Sequence, residues 1–408
     1  MAKLRLAVLL VAVCAGAFGQ TLATFGRRIP APGNLLDIVL DEGRQRLYLV
    51  NFANNRVEIF SLPDQRFLSP IEVGQQPVSA ALSPDGQFLY VTNYGSASLT
   101  VIDLGLGAAT SSVNLVAPPE GVAVGFDGRV LITTLGTGPV NNQLNTLLIF
   151  DPRQTGAAQI TSVPVPPPAS QIPTLPPIIP GRPFLSFRGR LQATPDGQFI
   201  IGMNTPQGNS TVVFVYEVAS GTVLRSRLTP GLSTVMAISP EGARFMSGLR
   251  LFEAATLNLL ATTNANNSPF QMPGGFNVNQ NVGGSIFSPD GTALYSAFNV
   301  APFALPQPRP NSALLLVSNA RNLGINLGLR LPESILGKMA VTSNGQTVYA
   351  LSESGVLELP VGKIYDYPIL VPETTAVRLS INPCDRGLVT TEVKVNNAGR
   401  GRLTFTFN

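Results

Sequence analysis

A glycine-ended turn between two apolar strands recurs seven times along the chain and constrains the fold more than any other feature. The clearest copy is Ser83-Pro84-Asp85-Gly86, with apolar residues at 78–82 before it and at 88–92 after it. Proline presets φ for the second position of a type I turn, aspartate suits the third, and glycine adopts the left-handed conformation. Each copy therefore predicts a β-hairpin. The other copies end at Gly43, Gly128, Gly197, Gly242, Gly291 and Gly345.

The spacing of these glycines predicts the architecture. Successive turn glycines lie 43, 42, 69, 45, 49 and 54 residues apart, and units of about 40 to 50 residues with several short strands are typical of β-propeller blades. The flanking strands are almost continuously apolar, as in sheets that are covered on both faces. Seven units therefore predict an all-β, seven-bladed β-propeller, whose closed ring removes exposed sheet edges. A β-sandwich with seven fortuitous turns is the alternative.

The segment of residues 22–29 resembles an outer strand without a blade of its own. Ile29-Pro30-Ala31-Pro32-Gly33 precedes the first blade as Ile71-Glu72-Val73-Gly74 precedes the second. We therefore expect the N-terminal strand to close the last blade, whose own strands run through about residues 339–360. The propeller should occupy residues 20–371.

The two ends of the chain differ from the propeller. Residues 1–19 combine Lys3 and Arg5 with a short apolar run and small residues, which is typical of a cleaved bacterial signal peptide. A lipoprotein signal ending at Cys14 is the alternative. We expect a secreted, periplasmic or cell-surface protein without a transmembrane span, because this run is too short to cross a bilayer comfortably.

The tail, residues 372–408, alternates as strands at 376–381, 389–395 and 403–407, with a turn at 396–399. It resembles the start of an immunoglobulin-like module, which needs about 100 residues. We therefore expect either a truncated longer protein or a tail that docks on the propeller.

The composition excludes several classes of function. The chain contains no histidine and no tryptophan, so a Ser-His-Asp triad and an imidazole-ligated metal site are excluded. Charged residues make up only 12% of the chain, without the basic stripe that nucleic-acid binding requires. These features favour a binding protein over an enzyme, and no residue is assigned a catalytic role.

The turns also indicate which face of the disc carries function. In a four-stranded blade, the loop between the second and third strands and the connection to the next blade lie opposite the glycine turn. The lengthened segments, residues 136–145, 163–188 and 299–311, are all of this kind. Loops on a rigid scaffold commonly carry binding residues. The proline-rich segment 163–188 is either a lid or docking strap, or a passive crossover.

The innermost strands begin at the mouth of the central channel on this same face. The residues at these starts carry both charges and several amides, so they could hold a small polar ligand or simply line a hydrated channel. We identify them as Asp37, Gln76, Glu120, Arg188, Arg190, Thr234, Asn281 and Lys338. Calcium, which prefers clustered oxygen ligands, is the one cofactor that the sequence suggests. Its ligands would come from Asp37, Asn93, Glu120 and Asn281.

The second blade resembles a known repeat. Tyr90-Val91-Thr92-Asn93, and more weakly Tyr48-Leu49-Val50-Asn51, look like the Tyr-Val-Thr-Asn repeat of the YVTN or YncE-like family of surface-associated bacterial and archaeal β-propellers. Blades 3 to 7 keep the turn and lose this signature. The resemblance implies a secreted or cell-envelope seven-bladed propeller.

Two functional hypotheses follow. The first is a binding scaffold that uses the long-loop face and the channel to hold a protein, a peptide or a small polar ligand. The alternative is a metal-assisted lactonase-like hydrolase, implied by a related superfamily in which one branch holds a channel calcium with Glu, Asn and Asp. Another branch uses histidine, which this chain lacks.

Overall fold

The computed structural model describes residues 24–134, 147–163, 189–204, 210–230, 232–233, 235–263, 282–299, 313–372 and 394–402. The chain divides into a large unit, Phe25–Leu359, and a smaller unit to which Pro360–Asn408 belongs.

The large unit is an all-β propeller of seven antiparallel sheets, as predicted. Strand β1 (Arg27–Pro30) precedes the first blade. Blade 1 contains β2 (Leu35–Asp41), β3 (Arg46–Asn51), β4 (Arg56–Ser61), β5 (Arg66–Phe67) and β6 (Ile71–Glu72). Blade 2 contains β7 (Pro77–Leu82), β8 (Phe88–Asn93), β9 (Ser98–Asp103) and β10 (Ala108–Asn114). Blade 3 contains β11 (Pro119–Val124), β12 (Val130–Thr134), β13 (Leu147–Phe150) and β14 (Ile160–Val163), with a short 3-10 helix at Gly156–Gln159.

The remaining blades follow the same order. Blade 4 contains β15 (Gly189–Ala193), β16 (Phe199–Asn204), β17 (Ser210–Glu217) and β18 (Thr222–Pro230). Blade 5 contains β19 (Met236–Ile238), β20 (Arg244–Ser247), β21 (Arg250–Glu253) and β22 (Leu259–Thr262). Blade 6 contains β23 (Val282–Phe287), β24 (Ala293–Asn299), β25 (Ala313–Asn319) and β26 (Ile325–Arg330). Blade 7 contains β27 (Ile335–Val341), β28 (Val348–Ser352) and β29 (Gly355–Leu359).

The first strand of each blade lines the centre of the disc. These strands contact one another in a complete circle, from β2 through β7, β11, β15, β19 and β23 to β27 and back to β2. Apolar side chains fill the space between neighbouring blades: Tyr48 and Val57 of blade 1 pack with Leu89 and Ile102 of blade 2. Because each blade buries its faces against its neighbours, the ring is the unit of stability.

The predicted closing strand is confirmed. Strand β1 pairs antiparallel with β29 and supplies the fourth strand of blade 7. Arg27 lies opposite Glu358 in this register and forms an ion pair with it. Ile29 packs in the core cluster that joins blade 7 to blade 1. The last blade is therefore built from both ends of the propeller sequence.

The repeated turns adopt the predicted backbone conformation with one exception. Six of the turn glycines have positive φ, between 66° and 81°. Gly43 does not, and Gln45 takes the left-handed conformation instead, with φ of 52°. The Asp41 carboxylate accepts a hydrogen bond from the Arg44 N–H at 3.0 Å, which extends this turn. The left-handed position therefore falls two residues later than expected.

The smaller unit contains a 3-10 helix at Val361–Asp366 and two short paired strands, β30 (Leu370–Pro372) and β31 (Val395–Asn397). Asn396 and Asn397, predicted in a turn, are the last residues of β31. The predicted strands at 376–381 and 403–407 lie outside the described residues, as does the signal segment 1–19. The immunoglobulin-like module stays a prediction. Within the described ranges, no helix has the length and apolar character needed to cross a bilayer.

Candidate functional site: the loop face and channel mouth

The strand order defines a loop face opposite the glycine turns. In an antiparallel meander, the loop between the second and third strands and the connection to the next blade lie at the same end. The predicted long loops, 136–145, 163–188 and 299–311, lie outside the described residues except for Val163 and Asn299, which end strands β14 and β24. The site is therefore built from the shorter loops of blades 1 and 2.

A polar cleft of about 360 Å³ opens on this face between blades 1 and 2. Its walls come from the β3–β4 loop, the connection into β7 and the β8–β9 loop. The lining consists of Phe52, Ala53, Asn55, Gln75, Gln76 and Gly95. It combines three carboxamides with one aromatic ring and two small residues, and none of these six residues is charged. The volume lies at the lower end of the range for small-molecule sites, roughly 300 to 1,000 Å³.

The backbone around this cleft is held in an uncommon conformation. Asn55, Gln76 and Ala97 have φ of 56°, 51° and 45°, a region that non-glycine residues enter at a cost of about 1 kcal/mol or more. The Asn55 side-chain oxygen accepts a hydrogen bond from the Gln76 N–H at 2.8 Å. The Gly95 N–H donates to the Gln75 carbonyl at 3.0 Å. These bonds join the three walls, so the cleft is pre-formed.

Asp37, predicted at the channel mouth, is buried and connects three blades. Its carboxylate accepts hydrogen bonds from the Ser79 hydroxyl at 2.7 Å and from the Ala80 N–H at 2.9 Å, both in blade 2. It also accepts from the Ile38 N–H at 2.8 Å. The Lys338 ammonium of blade 7 lies 3.0 Å from Asp37 Oδ1, the same oxygen that accepts from Ile38. The carboxylate is therefore committed to inter-blade contacts in this structure.

Glu120 occupies a comparable position between blades 3 and 4. Only 2% of this residue is exposed, and its carboxylate accepts a hydrogen bond from the Gly189 N–H at 2.6 Å. A Cβ at Gly189 would lie 2.5 Å from the Thr133 hydroxyl and 2.8 Å from the Glu120 carboxylate. The side chains of Thr133 and Glu120 therefore occupy the space that a side chain at residue 189 would need.

The other predicted channel-mouth residues differ in their bonding partners and in their solvent exposure. Gln76 lines the cleft and Arg190 is half-buried on β15, and neither side chain forms a hydrogen bond or ion pair within the described part of the chain. The Lys338 side chain is 46% exposed despite its ion pair with Asp37. Arg188, Thr234 and Asn281 lie outside the described residues. Whether this ring binds a ligand stays a prediction.

Three of the proposed calcium ligands, Asp37, Asn93 and Glu120, lie within the described residues. Asp37 and Glu120 each accept hydrogen bonds from protein groups, and the Asn93 amide nitrogen donates to the Thr100 hydroxyl at 2.9 Å. Across the described ranges, no three acidic or cysteine side chains cluster as metal ligands. Asn281 lies outside these ranges, and calcium binding stays a prediction.

Sequence reasoning placed Gln76 at the mouth but missed the other cleft residues. The signal that could have found Asn55 is the pair Asn54-Asn55 immediately before an apolar strand, because asparagine tolerates left-handed turn positions. Phe52 and Gln75 carry no comparable signal. Their proximity arises only when blade 1 is stacked against blade 2.

Comparison with known proteins gives a fold and one short sequence match. No protein-family model matches the chain. Antigen Lp49 of Leptospira interrogans is 33% identical over 67 residues, which are 16% of this chain and 15% of that antigen. The match thus spans about 15% of the length of this curated relative.

Among solved structures, hydrazine synthase of Kuenenia stuttgartiensis superposes with a TM-score of 0.57 at 16% identity, covering 84% of this chain and 98% of that chain. At this identity the likeness concerns the fold alone. The chain is a seven-bladed β-propeller, and its membership of the YVTN or YncE-like family stays a prediction.

Proposed function

We propose that this protein is a non-enzymatic binding scaffold that holds a protein, a peptide or a small polar ligand on its loop face. The observation that carries this proposal is the pre-formed cleft between blades 1 and 2. Asn55, Gln76 and Ala97 all adopt positive φ around it. Hydrogen bonds from the Gln76 N–H to the Asn55 side-chain oxygen and from the Gly95 N–H to the Gln75 carbonyl hold its three walls together.

The cleft lining indicates the chemistry of the ligand. The carboxamides of Asn55, Gln75 and Gln76 each carry both a donor and an acceptor, which suits a peptide main chain or sugar hydroxyls. The half-buried Phe52 ring adds an apolar surface at one wall. Because no charged side chain belongs to this lining, the ligand group that enters the cleft is uncharged.

A location outside the cytoplasm is part of the same proposal. The composition of residues 1–19 supports it, and so does the partial match to a protein named as an antigen. The alternative of a metal-assisted lactonase-like hydrolase has no specific observation in its favour among the described residues. It stays the second hypothesis.

The test fills the cleft without disturbing the core. Ala53 is exposed at the lip of the cleft, so Ala53→Trp should block the cleft and leave the fold intact. Ala157, exposed in the 3-10 helix at the opposite end of blade 3, provides the matched control Ala157→Trp. The probes are a library of uncharged peptides and a library of neutral oligosaccharides, and binding is detected by saturation-transfer NMR.

We expect a subset of these probes to bind the unmodified protein and the Ala157→Trp variant, and to lose their signal with Ala53→Trp. Binding that survives in both variants would contradict the cleft as the site. The absence of any binding probe from either library would contradict the proposed ligand class.

A further inference from the structure

The carboxamides that line the cleft between blades 1 and 2 keep hydrogen-bonding groups available for a ligand. Within the described residues, the side-chain amides of Gln75 and Gln76 form no hydrogen bond with the protein. The Asn55 side-chain oxygen accepts from the Gln76 N–H at 2.8 Å, which leaves the Asn55 amide nitrogen as a donor. Because each carboxamide carries two N–H donors and an acceptor oxygen, the cleft offers both kinds of group side by side.

The main-chain groups of the same walls are bonded to one another. The Tyr94 N–H donates to the Gln76 carbonyl at 2.9 Å, and the Gly95 N–H donates to the Gln75 carbonyl at 3.0 Å. The Gln75 N–H donates to the Ser96 hydroxyl at 3.1 Å. Peptides that bind in extended form commonly pair their main chain with the edge of a strand. These walls are loops with internally bonded main chain, so they present side-chain amides in place of such an edge.

The charged side chain next to Asn55 in sequence is already paired. Arg56 Nε lies 2.7 Å from the Glu58 carboxylate, and the Asn51 amide donates to the same carboxylate oxygen at 2.8 Å. None of the six residues that line the cleft is charged. An anionic ligand group would lose water here without gaining a cationic partner. The cleft therefore favours a neutral ligand.

One wall of the cleft is aromatic. Phe52 is half-buried and belongs to the lining. The face of an aromatic ring carries partial negative charge, which attracts the weakly positive C–H groups on the face of a sugar ring. The rim of a sugar ring carries hydroxyls, and each hydroxyl both donates and accepts hydrogen bonds. An aromatic side chain beside three neutral carboxamides is complementary to such a molecule.

We propose that this cleft binds a neutral sugar, an inference that rests on the binding role proposed above for the same cleft. The sugar's C–H groups pack against Phe52, and its hydroxyls exchange hydrogen bonds with the carboxamides of Asn55, Gln75 and Gln76. The volume of about 360 Å³, at the small end of the range for ligand sites, matches one or two sugar rings.

The experiment measures sugar binding to the full chain by isothermal titration calorimetry and saturation-transfer NMR. The neutral probes are the methyl glycosides of glucose, galactose and mannose, N-acetylglucosamine, maltose, cellobiose and lactose. Glucuronate and galacturonate are the matched anionic probes. Tripeptides of neutral residues, blocked at both ends, are the alternative ligand class.

Two variants remove the groups assigned to sugar binding. Gln75→Leu replaces an exposed carboxamide of the cleft by an apolar group of similar size, and Phe52→Leu removes the aromatic ring. The matched control for the first is Gln87→Leu, at an exposed glutamine after a turn glycine on the opposite face. Thermal melts check that each variant is folded.

We expect at least one neutral sugar to bind, and Gln75→Leu and Phe52→Leu each to raise its dissociation constant about tenfold or more. Gln87→Leu should leave the dissociation constant unchanged. The matched uronate should bind more weakly than the neutral sugar. Saturation transfer should be strongest for the C–H protons on one face of the sugar ring.

The possible failures are distinguishable. Blocked peptides that bind and are displaced by Ala53→Trp, with no sugar binding, would overturn the sugar inference and leave the binding scaffold standing. Sugar binding that both Gln75→Leu and Phe52→Leu leave unchanged would also overturn it, because the sugar would then occupy another site. Absence of binding by every sugar and every peptide would overturn the proposed function as well.

Discussion

Three aspartates of the repeated turns, Asp85, Asp196 and Asp290, each accept hydrogen bonds from a hydroxyl and from a main-chain N–H. The Asp85 carboxylate accepts from the Ser83 hydroxyl at 2.5 Å and from the Gln87 N–H at 3.0 Å, and Asp196 and Asp290 repeat this arrangement. The hydroxyl in each turn, followed by the N–H, lowers the pKa of all three carboxyls, because both donors favour the ionised form.

These three carboxylates should make stability depend on acid pH. A carboxyl whose pKa is lower in the folded chain stabilises it above the unfolded pKa near 3.8 and loses this contribution as pH falls through the folded pKa. In blade 7, Asn344 accepts the equivalent bonds from Thr342 and Gln346 without titrating. We therefore expect the triple variant Asp85→Asn, Asp196→Asn, Asp290→Asn to fold but to be less stable than the unmodified protein at pH 7, because a neutral amide accepts these bonds more weakly than a carboxylate.

The same triple variant should lose less stability below about pH 4, where the aspartates of the unmodified chain become protonated. Urea unfolding midpoints measured from pH 7 down to pH 3 check this. An acid-induced decline of the same steepness in both proteins would contradict the role of the turn carboxylates.

At the scale of the element, the closing strand depends on a glycine in its partner. Gly355 begins β29 with φ of 145°, and a Cβ there would lie 2.5 Å from the Ile29 carbonyl oxygen and 2.6 Å from the Ala31 nitrogen. Backbone atoms cannot move aside as the end of a flexible side chain can. A side chain at this position would therefore displace β1 from blade 7.

We expect Gly355→Ala to destabilise the propeller far more than Gly107→Ala. Gly107 also has positive φ, 66°, but a Cβ there would meet nothing within 4 Å, so that control costs only the backbone strain of about 1 kcal/mol. Urea unfolding measures the difference. Limited trypsin digestion gives an independent measurement, because Arg27 and Arg28, which are exposed but held in a paired strand, become cleavable when β1 leaves the sheet. Equal stability and equal protease resistance of the two variants would contradict this account of ring closure.

At the scale of the whole molecule, the propeller is held by contacts between residues that are far apart in sequence. Leu47 and Phe60 of blade 1 pack with Tyr349, Leu351 and Val356 of blade 7. The Asp37 carboxylate joins blade 1 to blade 2 and, through Lys338, to blade 7. The ring therefore closes through both apolar packing and one buried carboxylate.

Asp37→Ala should lower the free energy of unfolding by about 2 to 4 kcal/mol, because it leaves two buried main-chain N–H groups and a serine hydroxyl without their acceptor. Lys338→Met should cost less than about 1 kcal/mol, since the ammonium is partly solvated and such pairs contribute little. Equilibrium urea unfolding compares the two variants. Losses of similar size would show that the ion pair, and not the network of donors, dominates this contact.

The sequence by itself determined the blade count, the positions of the turns and the strand that closes the ring. Turn chemistry and alternation act over a few residues, so the copy at Gly86 could be read without its neighbours. The same locality explains the error at Gly43, where the Asp41 side chain bonds to Arg44 and moves the left-handed position to Gln45.

Only the tertiary structure decided which channel-mouth side chains hydrogen-bond to neighbouring blades and which form no such bond within the described residues. Asp37 and Glu120 looked equivalent to Gln76 and Arg190 in sequence, yet the first two accept hydrogen bonds from neighbouring blades. The cleft likewise could not be predicted from the sequence, because its walls come together only where blade 2 packs against blade 1. The physical reason is that these contacts form between blades, across sequence separations at which no local pattern reports the distance between two side chains.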